Sequence, residues 1–309
     1  MLQATFTRAC RVVDARDVLI IGNRQHRQLY LKQLPDLRPE NLILEPGSRG
    51  TAPAIALTAA LEAWKGRFGV IVTIPSDHII LDPDDWVAAL KLASEYAAAK
   101  DQLVSIASIP DTTEVKFGYL VIGDRVGGTE RNPVSRVVRF VEKPDVQTLE
   151  SLVAGGRCLR HMGMIAFKPQ VILAELARHV PEIQAPFENA VDEGFDEVSV
   201  DVAYSSMPKA SIDATLLQRT DRLVAVASQI HSIDAGDFTS LGDILDLDAQ
   251  GNRIKGRTVM IDSTSNIVFS DGATVAAVGI HDLVIVVDGE TVLVCPKDQS
   301  QRIKEASNR

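Results

Sequence analysis

The stretch VIVTIPSDHII, residues 70–80, passes from an apolar run into Pro75, Ser76, Asp77 and His78. It is β-branched at most positions and broken by proline, so it reads as a buried parallel strand whose carboxyl end opens into a loop. In an open α/β sheet that end is where ligands bind. A carboxylate there is costly unless it is solvated, paired or bound to a metal. Asp77 is therefore either an exposed bystander or placed for chemistry.

Around this stretch the chain alternates. DVLIIG (17–22) reads as a strand, 24–34 as a helix, LILEP (42–46) as a strand and 51–65 as an alanine-rich helix. A helix from Pro83 to Lys100 and the strand LVSIASI (103–109) follow. Asp82 is the expected N-cap of that helix, with Pro83 at its first position. Strand and helix alternating over short connections predict a parallel α/β sheet. From 117 the rhythm lengthens through FGYLVIG, VSRVVRFVEKP (134–144), a helix near 145–154 and the strand-like MIAF. After 243 come VMIDS, NIVFS, ATVAAVG, DLVIVVDG and TVLVCPK, short β segments separated by Gly, Asp, Asn and Ser. Closely spaced short strands predict a small β-helix or β-roll. The expected architecture is a Rossmann-like, mixed but mostly parallel sheet flanked by helices over 1–242, followed by a β-rich domain over 243–309.

The 309 residues, 46% of them hydrophobic, are enough for about two domains with a real core. A net charge of −9 argues against a nucleic-acid partner, because phosphate backbones attract basic surfaces. It leaves small anionic substrates open, since these need only a local cluster of donors, often with Mg²⁺. No apolar stretch reaches the roughly 18 residues of a membrane span, and the first residues lack a signal-peptide core. The expectation is a cytoplasmic protein with no membrane partner. Cys10, Cys158 and Cys295 are too few and too scattered for a disulfide framework or a zinc site.

Three further clusters could carry chemistry. EPGSRGTAPAIALTAA (45–60) sets Gly47, Ser48, Arg49, Gly50 and Thr51 between a strand and a helix N-terminus. Free backbone N–H groups there can hold an anion, but an ordinary Gly/Ser turn with a threonine cap looks the same. VEKP (141–144) puts Glu142 and Lys143 side by side at a strand end, Lys143 being either a phosphate contact or a solvated surface lysine. HSIDAGDF (231–238) offers Asp234 in a loop after the apolar run LVAVAS, as a turn residue or as a ligand. Asp77 and Asp234, both at strand ends, are the kind of carboxylate pair that holds Mg²⁺ together with waters and substrate phosphates.

EPGSRGTAPAIALTAA, PSDHII, FGYL, FVEKP, MGMIAF, SIDATLLQRT and DAGDF occur in an order and spacing that resembles the mannose-1-phosphate guanylyltransferases, members of the sugar-nucleotide pyrophosphorylases. The resemblance runs over nearly the whole chain, including the β-rich tail. It implies a nucleotidyltransferase fold and a transfer in which mannose 1-phosphate attacks the α-phosphorus of GTP, giving GDP-mannose and pyrophosphate. Such a reaction needs in-line positioning and neutralisation of charge rather than a covalent protein nucleophile. Matched residue by residue, the resemblance implies Asp77 and Asp234 as catalytic Mg²⁺ ligands and Lys143 as the catalytic lysine holding the sugar phosphate. It implies Glu142 as a sugar-contacting acid, Gly118 as the tight-turn glycine beside sugar and base, and Arg49 and Thr51 in the nucleotide-side loop. His161 and Gly163 fall in the sugar-facing block, and Asp213 on an acidic position near the sugar.

Two residues depart from the family pattern: His161 stands where an asparagine is usual, and Gln218 where a glutamate is common. An imidazole reaches hydroxyls differently from an amide, which opens the choice of sugar. His78 is expected to orient neighbours rather than act as a base, because a sugar phosphate is already ionised near neutral pH. The family's opening strand and glycine-rich loop, of the form GGxGxRLWP…PK, find no counterpart, and Met1–Thr5 matches the helix that follows that loop. Unpaired strand edges and weak activity are therefore expected of the sequence as written. The alternatives are a catalytically silent relative that binds a sugar nucleotide or serves an active partner, and a pyrophosphorylase for another sugar 1-phosphate. Self-association through the β-rich tail is a further expectation.

Overall fold

The computed structural model describes residues 1–110, 114–303 and 305. In chain order the helices are α1 (Leu2–Ala9), α2 (Arg27–Gln33), α3 (Thr51–Trp64), α4 (Pro83–Ala99), α5 (Val146–Ala154), α6 (Pro169–His179), α7 (Pro181–Asp192), α8 (Glu197–Ser206) and α9 (Phe238–Gly242). The strands are β1 (Ile20–Asn23), β2 (Leu42–Glu45), β3 (Ile71–Val72), β4 (His78–Ile80), β5 (Leu103–Ser108), β6 (Gly118–Gly128) and β7 (Pro133–Glu142). They continue with β8 (Cys158–Phe167), β9 (Leu223–Ser228), β10 (Ser232–Asp234), β11 (Arg253–Ile261), β12 (Ile267–Val278), β13 (Leu283–Asp288) and β14 (Thr291–Pro296). The chain divides into a larger unit, Leu2–Ser76 with Asp82–His231, and a smaller one, Met1 with Asp77–Leu81 and the chain from Ser232 onward. Among the described residues no helix is long and apolar enough to cross a membrane.

The larger unit is organised around β5, all six of whose residues are buried. It lies between β9, which runs parallel to it, and β8, which runs antiparallel, in a six-stranded sheet of order β3-β8-β5-β9-β7-β6. The main core packs Leu103 and Ala107 of β5 with Phe167 of β8 and with the buried faces of α3, α6, α7 and α8. Ala52, Ala56, Ala59 and Ala60 make α3 narrow enough to lie close in that core.

The mixed sheet and the β-helix tail are as expected, but the parallel share of the six-stranded sheet is smaller than the sequence rhythm implied. Among the described residues only β5–β9 is parallel in it. A connection as short as the one between β6 and β7 can close only an antiparallel pair. The opening stretch also differs from its reading. Its apolar run supplies only Ile71 and Val72 as β3, half-buried at the sheet edge and antiparallel to β8. Among the described residues β3 has no other partner strand, and β1 and β2 form a parallel pair of their own. The start of α4 at Pro83 is as predicted, yet Asp82 makes no side-chain cap. Its carboxylate accepts instead from the backbone N–H of His231, and its Oδ2 lies 2.8 Å from the His231 Nδ1.

The smaller unit reaches back before the expected boundary at 242/243, because β4 and β10 pair antiparallel with each other. Its tail is a short parallel β-helix, β11-β12-β13, closed by β14 running antiparallel to β13. Two buried asparagines stack between successive coils. Asn252 Oδ1 accepts from the backbone N–H and side-chain amide of Asn266, and Asn266 Oδ1 accepts from the N–H of Leu283. The Asn266 amide also donates to the Ile280 carbonyl. Asn266→Ala would leave those buried groups unmet, at a cost of about 3 kcal/mol. A lowered midpoint of chemical denaturation is expected, and an unchanged midpoint would show that the ladder contributes nothing.

Candidate active site

Each unit carries one cluster of functional side chains. In the smaller unit the β4–β10 register sets Asp234 opposite His78. The N–H of Ala235 donates to the Asp77 carbonyl at 3.1 Å, and the N–H of Gly236 to Asp234 Oδ1 at 3.0 Å. These bonds draw Asp77, His78 and Asp234 together so that one ligand atom from each lies within 4.8 Å of the others. Two carboxylates and an imidazole at that spacing fit a divalent cation. His78, read from the sequence as an orienting residue, stands among the candidate ligands.

In the larger unit the register of β6 and β7 places Gly118 opposite Glu142. A Cβ on Gly118 would come within 2.6 Å of the Phe140 ring and 2.9 Å of Glu142 Oε2, so glycine is what allows Glu142 its position. Lys143, the next residue, has φ of 47°, a left-handed conformation that is strained for any residue with a Cβ. Its N–H is held by the Phe117 carbonyl at 3.1 Å. The side chain is 67% exposed, with Nζ 4.0 Å from Glu142 Oε1. The strain turns the chain out of β7 and leaves a cation beside a sheltered carboxyl group.

The other wall is a bulge. β5 residues Ile106 and Ala107 pair with Met164 and His161 of β8, leaving Met162 and Gly163 outside the ladder. Gly163 is exposed in an otherwise buried strand and has φ of 68°. His161 is only 6% exposed. Its Nδ1 lies 2.8 Å from Ser105 Oγ on β5, its Nε2 lies 3.2 Å from Asp213 Oδ1, and its ring meets Phe140 edge-on at 5.4 Å. Asp213 opens a π-helical turn, Asp213–Leu217, closed by the Gln218 N–H donating to the Asp213 carbonyl. Such turns are frequent at functional sites.

Asp213 is held from behind by the loop 45–51. Arg49 donates through Nη1 to the Met207 carbonyl at 2.6 Å and through Nη2 to the Ser205 carbonyl at 3.2 Å. Ala210 donates to the Arg49 carbonyl, and Ile212 donates to Thr51 Oγ1 at 2.9 Å. Gly50, with φ of 92°, lets the Ala210 carbonyl approach to where a Cβ would be 2.4 Å away. Arg49 and Thr51 therefore fasten the segment carrying Asp213, with the Arg49 guanidinium bonded to protein carbonyls.

The electrostatics follow from this packing. Burial pushes the Asp213 carboxyl up, but the bond and charge of His161 and the hydroxyl of Ser211 outweigh it and hold the group below its usual range. Glu142 is pushed up, by burial first and by the Asp213 charge second, against the pull of Lys143 and His161. Two nearby acids are thus driven apart, one toward its ionised form and one toward its protonated form.

Of the residues singled out from the sequence, the structure gathers Gly118, Glu142, Lys143, His161 and Asp213 in the larger unit, and Asp77 and Asp234 in the smaller. Gly163 lies in the bulge two residues past His161. Ser105 went unread, although a hydroxyl inside a wholly buried strand needs a partner and signals one.

In the smaller unit the carboxylate pair fits a cation, and in the larger unit the lysine set beside acidic groups fits an anion such as a phosphate. The chain belongs to the nucleotidyl transferase family, whose model matches residues 1–244; residues 256–309 match the MannoseP isomerase/GMP-like beta-helix domain. Enzymes of this family generally use a divalent metal ion. The chain is 33% identical to a mannose-1-phosphate guanylyltransferase of Klebsiella pneumoniae, over 99% of this chain and 66% of that protein. It is 34% identical to one from Escherichia coli K12 over 99% and 65%, and 34% identical to the xanthan biosynthesis protein XanB of Xanthomonas campestris over 99% and 65%. The chain thus spans just under two thirds of the length of these curated relatives. Among solved structures it superposes on a Thermus thermophilus protein described as a mannose-1-phosphate geranyltransferase, with a TM-score of 0.87, 27% identity and coverage of 100% of this chain and 88% of that one. A mannose-6-phosphate isomerase from Helicobacter pylori gives a TM-score of 0.62 at 26% identity, over 75% of this chain and 90% of that one.

If the left-handed Lys143 backbone is strained, Lys143→Gly is expected to be more stable than Lys143→Ala by about 1 kcal/mol in chemical denaturation. A glycine variant no more stable than the alanine one would remove the strain from this account.

Proposed function

We propose that the chain transfers a guanylyl group from GTP to mannose 1-phosphate, forming GDP-mannose and pyrophosphate. The observation that carries this reading is the strained Lys143, set beside Glu142 and presenting its ammonium to solvent, in a chain whose relatives are named mannose-1-phosphate guanylyltransferases. A phosphate oxygen of the sugar phosphate attacks the α-phosphorus of GTP. The bond from that phosphorus to the α–β bridging oxygen breaks, and pyrophosphate leaves.

Lys143 holds the sugar phosphate as a point charge and keeps its oxygens oriented for in-line attack. Glu142, inclined to keep its proton, can both donate to and accept from a sugar hydroxyl, whereas Asp213 only accepts. No general base is needed, since the nucleophile is already an anion. Asp77 and Asp234 would hold Mg²⁺, with His78 beside them, and that ion supplies neutralisation of the triphosphate charge. The cytoplasm, where nucleoside triphosphates and sugar phosphates are made, is the compartment this reaction requires.

The test is pyrophosphate release from GTP and mannose 1-phosphate by the whole chain, with EDTA, other nucleoside triphosphates and other hexose 1-phosphates as controls. Turnover that needs GTP, mannose 1-phosphate and a divalent ion is expected. Binding of GDP-mannose without turnover would instead favour a silent relative. In the active chain Asp234→Ala is expected to lower turnover by at least about a hundredfold. Lys143→Ala should raise the Michaelis constant for the sugar phosphate far more than that for GTP. Equal effects on both substrates would take Lys143 off the sugar phosphate.

A further inference from the structure

The imidazole that faces the Asp213 carboxylate is almost wholly buried. His161 has a side chain only 5% exposed, against 21% for Asp213. The imidazole therefore stands behind Asp213, between it and the centre of the sheet. Asp213 Oδ1 is buried and, the imidazole apart, has no hydrogen-bond partner among the described residues, while Oδ2 accepts from Ser211 Oγ at 3.2 Å. An ionised oxygen 3.2 Å from Nε2 is tolerated only if that nitrogen carries a proton, because a lone pair facing a carboxylate is repulsive. With Nε2 turned to Asp213, Nδ1 must find its own hydrogen-bond partner in a site closed to water. Ser105 Oγ, 2.8 Å away on a residue with no exposed surface, is that partner, since a hydroxyl can both donate and accept.

We propose that Ser105, acting through His161, positions the Asp213 carboxylate as the hydroxyl acceptor of the sugar site, which makes a buried serine a specificity-determining residue although it never touches substrate. The proposal rests on the reading of this cluster as the sugar-phosphate side of a transferase. The order of contacts is Ser105 Oγ with His161 Nδ1, then His161 Nε2–H toward Asp213 Oδ1. Phe140, edge-on to the ring, limits its rotation. Fastening of residues 205–212 by Arg49 and Thr51 fixes the carboxylate from the chain side. The relay orients from the side-chain side. With both in place, Asp213 offers its acceptor in one direction only, and hydroxyls of the opposite configuration find none.

Ser105→Ala removes the hydroxyl while keeping a small side chain in a buried strand. The intact chain and the variant are compared by imidazole ¹⁵N chemical shifts, with the His161 signal assigned by its loss in His161→Gln. The expected wild-type pattern is a ring protonated on Nε2 whose Nδ1 signal carries the mark of its bond to Ser105. In Ser105→Ala the Nε2 proton stays, because Asp213 still faces it, while the Nδ1 signal should shift as that nitrogen loses its partner. Calorimetry should show mannose 1-phosphate binding weakened about tenfold, the factor set by one charge-assisted hydrogen bond, with GTP binding unchanged. Discrimination between mannose 1-phosphate and glucose 1-phosphate should fall with it, and Ser105→Thr, which keeps the hydroxyl, should recover part of both.

An unchanged Nδ1 signal with unchanged sugar-phosphate binding in Ser105→Ala would overturn the relay. So would an equal loss of affinity for both substrates accompanied by a lowered melting temperature, which would mark Ser105 as a packing residue. If the wild-type chain released no pyrophosphate yet showed the Ser105-dependent Nδ1 signal and sugar-phosphate binding, the transfer reading alone would fail and the relay would stand.

Discussion

A carboxylate kept ionised inside the protein is the constraint on which the larger unit's cluster depends. Removing such a charge from water costs several kcal/mol unless donors and counter-charge replace the solvent. Asp213 obtains them from His161, from the Ser211 hydroxyl and from its own backbone N–H, enough to overcome its burial. The neighbours then adjust to that charge. Glu142, which shares the site, is pushed toward its protonated form, so the two acids do not repel as two anions would. The loop 45–51 serves the same end. Its arginine and threonine bond to the 205–212 segment, which fixes where the charge can lie.

The two clusters are assembled by different devices. In the smaller unit a three-residue antiparallel pairing brings residues far apart in sequence into register, and position follows from backbone hydrogen bonds alone. In the larger unit position follows from departures from regularity: a bulge in β8, a left-handed lysine after β7 and a π-helical turn at Asp213. Each departure redirects a side chain that a regular strand or helix would aim elsewhere. The core around β5 holds them rigid, which is why irregular backbone persists there.

Much of this was legible in the sequence. The helices beginning at Thr51 and Pro83 and the mostly apolar β5 read clearly, because proline, alanine content and β-branching act locally. The short strands of the tail read equally well from their spacing. The direction of the strands did not. Whether 118–167 lies parallel or antiparallel is decided by which edge a returning strand finds, a matter of tertiary packing. Asp77, Asp234, Glu142 and Lys143 could be picked out as chemical groups at strand ends. The work of Arg49 could not, since a guanidinium offered to a nucleotide and one bonded to two carbonyls look identical in one dimension. Asp82 likewise has the sequence of a helix cap, but its carboxylate is taken by His231.

The asparagine ladder of the β-helix also acts as a counting device. Asn252 and Asn266 occupy equivalent places in successive coils, and each amide can hand a bond forward because it both donates and accepts. The third place is Leu283, which offers its backbone N–H to Asn266 but has no side-chain amide to pass the pattern on. At the same coil β14 returns antiparallel and covers the edge where a further parallel strand would dock. A solenoid is in principle open-ended, and a bare parallel edge invites stacking by another molecule. Here the length of the stack is written in three residues and closed by one reversed strand, so the domain is finite by its own chemistry.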